Sequence, residues 1–196
     1  MKTSPDRHET VEPASYSAIP HRHRRAQQRC AMIPSDVLLK LLLIGAGATL
    51  LMDLWTLFRR HAFGIPSLDY APVGRWLGHM MHGRFRHASI VAATPVAGER
   101  ALGWVAHYAI GIAFAALPML IAGPAWIDAP TPLPAVVAGL ASVAAPFFVM
   151  QPAFGFGIAA SRTPQPGVAR RRSLVTHLSY GVGLYLAAYM LAALSR

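Results

Sequence analysis

The sequence predicts an all-α membrane protein: four transmembrane helices in a compact bundle, with a long interfacial connection between helices one and two. Three observations carry this. The chain of 196 residues is 54% hydrophobic and 13% charged, with a mean hydropathy of +0.39, too apolar for a soluble domain with a charged surface. Its apolar residues gather into four runs, at about 37–58, 101–122, 133–160 and 173–194, each long enough to cross roughly 30 Å of hydrocarbon at about 1.5 Å per residue. Finally, the arginines behind the net charge of +10 cluster beside those runs. That placement fits topology signals and contact with anionic lipid headgroups, and there is no basic stripe on a soluble domain to point to nucleic acid.

Residues 1–36 hold six basic and four acidic residues among scattered prolines, and nothing there could form a packed core. The composition predicts a disordered basic tail. Arg22, Arg24, Arg25 and Arg29 are candidates for headgroup contact, or the tail is inert. The apolar run that follows is too long for a signal-peptide core and lacks a small-residue cleavage site. Met32 is a candidate alternative start, which would remove the basic tail. The only cysteine, Cys30, leaves neither an intrachain disulfide nor a CxxC metal site.

The first span, residues 37–58, carries two charges. Lys40 lies near one end and can snorkel to the interface. Asp53 lies six residues before Arg59, about 9 Å inside the membrane face. A central carboxylate costs roughly 2.5–3.5 kcal/mol on insertion scales, somewhat less off-centre, so partners on other helices are expected. Asp53 shares a helical stripe with Gly45 and Thr49, which turns it toward a close neighbour.

The connection to Arg100 is too polar to span. Trp76, Leu77, Met80 and Met81 interleave with Arg75, His79, His82 and Arg84, predicting a short interfacial helix. A connection this long is more often docked or functional than idle, and Asp69, Arg75, Trp76 and His79 are its candidate site residues. His79, His82 and His87 raise the question of a metal, without a cysteine or second motif to support one.

In the second span Gly103, His107, Gly111 and Ala115 recur every four residues, a small-residue face for helix packing that points His107 into the bundle. Pro118 is a candidate kink. The 123–132 connection has no basic residue and one acid, Asp128, with Trp126 as an expected interface anchor. Pro146 and Pro152 interrupt the third span and predict a kinked or partly unwound helix near Gln151. The fourth span carries His177 on a stripe with Gly181 and Tyr185.

With four spans, the 59–100 and 161–172 connections share one membrane side. They hold six and four arginines, against none in 123–132. The positive-inside rule makes that side cytoplasmic. Asp53, His107 and His177 lie six, seven and five residues from Arg59, Arg100 and Arg172, all roughly 7–11 Å inside the same face. Gln151 is somewhat deeper. These four are the candidate polar cluster. It could relay protons, bind a cation or metal, hold a polar solute, or only hold helices together. No GxSxG, HExxH or cofactor motif points to an enzyme, and no cofactor is expected.

Several segments carry a family resemblance: MDLW (52–55), FGIPSLDYAPVGRWLGHM (63–80), GRFRH (83–87), GERALGWVAHYAIGIAFA (98–115), PFFVMQPAFGFGIAASRTP (146–164) and LVTHLSYGVGLYL (174–186). Over roughly residues 41–194 the chain resembles a bacterial inner-membrane family, domain-of-unknown-function family 2938. The resemblance implies a four-span membrane protein and brings no activity or catalytic residue. Two functions follow as expectations. One is a small solute or proton-coupled transport component, oligomeric because four spans are few for a monomeric carrier. The other is a non-catalytic protein that assembles with a membrane partner through its small-residue faces.

Overall fold

The computed structural model describes residues 35–195, and every regular element among them is helical. Residues 1–34 of the predicted tail, with its arginines, Cys30 and the Met32 start, lie outside the described residues, while Ser35 and Asp36, expected in the tail, are helical. Four helical segments are long and apolar enough to cross a membrane.

The first, α1 (Ser35–Phe63), runs a turn beyond the predicted end at 58, so Arg59 and Arg60 lie on the helix. Arginine is a good helix former, and charge alone does not stop a helix. A short helix, α2 (Ala71–Met80), forms in the connection, started by Pro72 in its first turn. The second span is α3 (Glu99–Phe114) followed by α4 (Leu117–Ala122), with the break just before Pro118. The third span opens as α5 (Pro132–Ser142), widens into a π-helical turn over Pro146–Met150 and ends as α6 (Gln151–Ala153). It therefore stops at 153 rather than 160. Each proline lacks an N–H and leaves a carbonyl one turn back unbonded. The helix responds with a wide turn, Gln151 N–H donating to the Pro146 carbonyl. The last span, α7 (Pro166–Leu194), starts seven residues earlier than 173, because Pro166 at the first helical position is a favourable start and the arginine triplet propagates it.

The bundle closes in sequence order: α1 packs on α3 and α7, α7 on α5, and α5 on α4. Gly45 meets Ile112, Thr49 meets Gly111 and Asp53 meets His107, so residue numbers fall on α3 as they rise on α1 and the two helices run antiparallel. The same reasoning holds for α5 and α7, where Gly139 meets Gly181 and Ser142 meets His177. Small residues lie at each crossing, which is how helices without a hydrophobic driving force approach closely. Ile44, Ala48, Ala115, Ala135, Ala138, Tyr180 and Leu184 form the shared core. Trp126 belongs to it too. Expected as an interface anchor, it is 4% exposed and donates its Nε1–H to the Thr131 carbonyl at 3.0 Å. The short 123–132 connection turns the ring inward under the helix ends. Only 17–28% of each apolar window is buried within the chain, so the remaining leucine faces are left for lipid.

The long connection is docked. Val73, Ile90, Ala153 and Phe154 form a second small core between α2, the 85–95 segment and the end of the third span. His87 and Ile90 donate their backbone N–H groups to the carbonyls of Ala153 and Phe154. Lys40 pairs with Asp128 at 2.6 Å, tying the start of α1 to the opposite connection.

Candidate functional site

Gly103 begins the construction of the polar site. A Cβ there would strike the Tyr70 carbonyl, and one on Gly74 would strike Glu99. The two glycines let the start of α2 lie directly on α3. Tyr70 is thereby held over the next turn of α3, stacked on His107 with ring centroids 4.0 Å apart and planes 21° from parallel. Trp104 and Tyr108 approach the same imidazole edge-on at 5.7 and 5.5 Å. His107 thus sits among three aromatic rings.

From that box His107 Nε2 reaches Asp53 Oδ1 on α1 at 3.1 Å, with side-chain exposures of 10% and 16%. Tyr70 OH donates to the same oxygen at a long 3.4 Å. Burial and the nearby Asp53 carboxylate raise the Tyr70 phenol above its ordinary range, so it stays a donor. The second carboxylate oxygen, Asp53 Oδ2, is buried with no hydrogen-bond partner among the described residues.

His177 hydrogen-bonds at a different crossing, that of α5 and α7. Its Nδ1 meets Ser142 Oγ at 2.7 Å, and Ser142 also donates to the Gly139 carbonyl at 2.6 Å. Gln151 bonds to none of the other three, and its Oε1 is buried without a partner among the described residues. Of the four candidate residues the structure therefore joins Asp53 and His107 and leaves His177 and Gln151 apart. Tyr70, Trp104 and Tyr108 escaped sequence reasoning. Trp104, three residues before His107, was within reach of the helical period, whereas Tyr108 is its sequence neighbour, a spacing that the period does not place on one face. Tyr70 arrives from a connection whose path no spacing encodes.

The four connection residues are structural in their contacts. Asp69 Oδ1 accepts the Ala71 N–H at 3.0 Å at the start of α2. Arg75 forms a bidentate pair with Glu99, at 2.8 and 2.7 Å, and donates through Nη1 to the carbonyls of Ile90, Val91 and Ala93. The hydrogen bond to Glu99 raises the Arg75 guanidinium above its ordinary value. Trp76 donates to the Phe85 carbonyl at 2.9 Å. His79 Nε2 meets the Thr94 carbonyl at 2.9 Å, and its Nδ1 meets His87 Nε2 at 3.0 Å. Carbonyls only accept, so His79 carries its proton on Nε2 and His87 donates to it. His82 bonds back to the Gly78 carbonyl, so the three histidines do not converge. Among the described residues no group of three or more His, Cys, Asp or Glu side chains has a metal-holding arrangement.

Four apolar spans around a sheltered histidine–carboxylate pair define a multi-pass integral membrane protein. The chain belongs to the family described as Protein of unknown function (DUF2938), which matches residues 42–191. No curated protein and no solved structure matches it.

Proposed function

We propose that this protein is a proton-exchanging component of a small-solute or proton-coupled transport system, with Asp53 and His107 as the exchanging pair. The observation that carries this reading is Asp53 Oδ2. Leaving a buried acceptor unsatisfied costs about 1–3 kcal/mol. Buried polar atoms are as a rule paired, so an unpartnered carboxylate oxygen in an apolar bundle calls for an occupant. An oxygen kept open beside an aromatic-boxed histidine is available to a proton or to a polar ligand's donor. The translocating unit is an oligomer, because four spans enclose little internal volume. It resides in the inner membrane in contact with anionic lipid, with the 59–100 and 161–172 connections in the cytoplasm. A C-terminal reporter reading as cytoplasmic overturns that orientation.

The alternative is assembly with a membrane partner through the small-residue faces. Those faces are already used within the chain, at Gly45 with Gly111, Gly139 with Gly181 and Gly183 with Ala48. That favours the exchange reading.

The test is proton flux into proteoliposomes that contain a pH-sensitive dye, under an imposed potential. Flux that disappears in D53N and H107A, with helicity and oligomeric state unchanged, supports exchange. No protein-dependent flux, or loss of assembly without loss of flux per folded molecule, sinks it. Y70F removes only the long hydrogen bond to Asp53 Oδ1 and leaves a ring to stack on His107, so it should keep the fold and change the flux less than D53N.

A further inference from the structure

A second polar site lies just outside the first, where α1 ends and α7 begins. A cleft of about 190 Å³ opens there, with Arg59 and Arg172 on its sides and Ser67, Asp69 and Thr176 among its polar lining. Its space equals that of about six water molecules at roughly 30 Å³ each, ample for one tetrahedral oxyanion. Neither arginine has an ion-pair partner among the described residues. The Ser67 and Thr176 hydroxyls make no side-chain hydrogen bond there either, although Thr176 is only 5% exposed. Asp69 is the one carboxylate present, and one of its oxygens is taken by the Ala71 N–H.

We infer that this cleft binds an anionic phosphate group. Two guanidinium groups outweigh one partly engaged carboxylate, so the net charge selects an anion. Planar guanidinium forks match phosphate oxygens two at a time, and the two hydroxyls supply further donors. The position also fits. Arg59 and Arg172 mark the same membrane face, where phosphate-bearing headgroups lie, and Ile65 and Leu68 give the cleft apolar wall for the adjoining chain. The phosphate can come from a phospholipid headgroup or from a soluble anion. The site does not depend on Asp53 or His107, so the exchange reading and this one can fail separately.

The experiment uses the full chain purified in non-ionic detergent. In one arm sodium phosphate is titrated by calorimetry. In the other, nanodiscs containing phosphatidylglycerol or only phosphatidylcholine are used, and native mass spectrometry counts the lipids retained. Heat from phosphate alone identifies a soluble anion. Selective retention of phosphatidylglycerol identifies the headgroup. In either case R59Q/R172Q weakens binding by roughly tenfold or more, the loss of charge-assisted bonds to two guanidiniums. The charge-matched R84Q/R86Q, outside the cleft, leaves it unchanged. Arg172 is exposed, so R172Q alone retains the fold and must already weaken binding. Binding in neither arm, or equal loss in both double variants, overturns the inference.

Discussion

Replacing Gly139 by alanine separates a tertiary effect from a local one. A Cβ on Gly139 would lie 2.5 Å from Gly181 Cα, 2.6 Å from Gly181 N and 2.7 Å from the His177 carbonyl oxygen. Ordinary carbon contacts are about 3.5–4.0 Å, so α5 and α7 must move apart by about 1 Å. Every obstructing atom is backbone, and no rotamer change relieves it. Overpacking of this kind costs about 1–3 kcal/mol, and the upper end applies when backbones must shift. Alanine recovers about 1 kcal/mol of helix propensity, leaving G139A roughly 2 kcal/mol less stable. Two other glycines provide the contrast. Gly47 would place its Cβ 3.2 Å from the Ala187 methyl, and Gly167 meets nothing within 4 Å. G47A should be nearly neutral, and G167A more stable by a few tenths to about 1 kcal/mol. The assay is reversible unfolding in mixed micelles by added SDS, followed by circular dichroism. The expected order is G167A, then G47A, then G139A. If G139A matches or exceeds the parent, the α5–α7 crossing is not as close as described and the reasoning fails.

Three further outcomes follow from the connection between the first two spans and from the loop after the third. E99Q removes the anionic partner of Arg75 at a site where both side chains are under one-fifth exposed; it should cost roughly 2–3 kcal/mol and raise hydrogen exchange across 85–98, and an unchanged exchange map would contradict the clamp. Ala159 is held at φ 48°, ψ 45°, a left-handed conformation that costs an alanine about 1 kcal/mol. A159G should therefore be more stable by up to that amount, whereas A160G also loses a methyl that is 1% exposed and gains less. Burial first, then His79 once it is protonated and the charge of Arg84, lower His87 below its ordinary value of 6.5. The open connection then takes up protons more readily than the docked one, so docking is strongest above pH 6.5 and weakens as pH falls through it. Exchange measured across that range in the parent and in H87N checks the sign: the variant should show a flatter profile.

Much of the fold was legible because a membrane imposes a simple rule: each span must be a long apolar helix, and length and hydropathy expose it. Helix ends were read less well. Charge marks where hydrocarbon ends, but backbone hydrogen bonding continues past it, so α1 and α7 carry their arginines on the helix. The stripe of Gly45, Thr49 and Asp53 and the stripe of Gly103, His107 and Gly111 also lay in the sequence as four-residue periods, and the structure places them against each other.

By itself the sequence determined the class of protein, the number of spans and the family, and it fixed where each polar residue lies along its helix, because apolar length and motifs are carried by the chain itself. Only the tertiary structure decided azimuth. The two histidines serve different neighbours: His107 is turned to Asp53 by the α1–α3 crossing, His177 to Ser142 by the α5–α7 crossing. The rotation of a helix about its axis is set by which small residues let which backbones approach, a property of pairs of helices that no single helix carries. The same holds for Tyr70 and Arg59. A connection distant in sequence brings one to the buried carboxylate, and the meeting of two helix ends brings the other to Arg172.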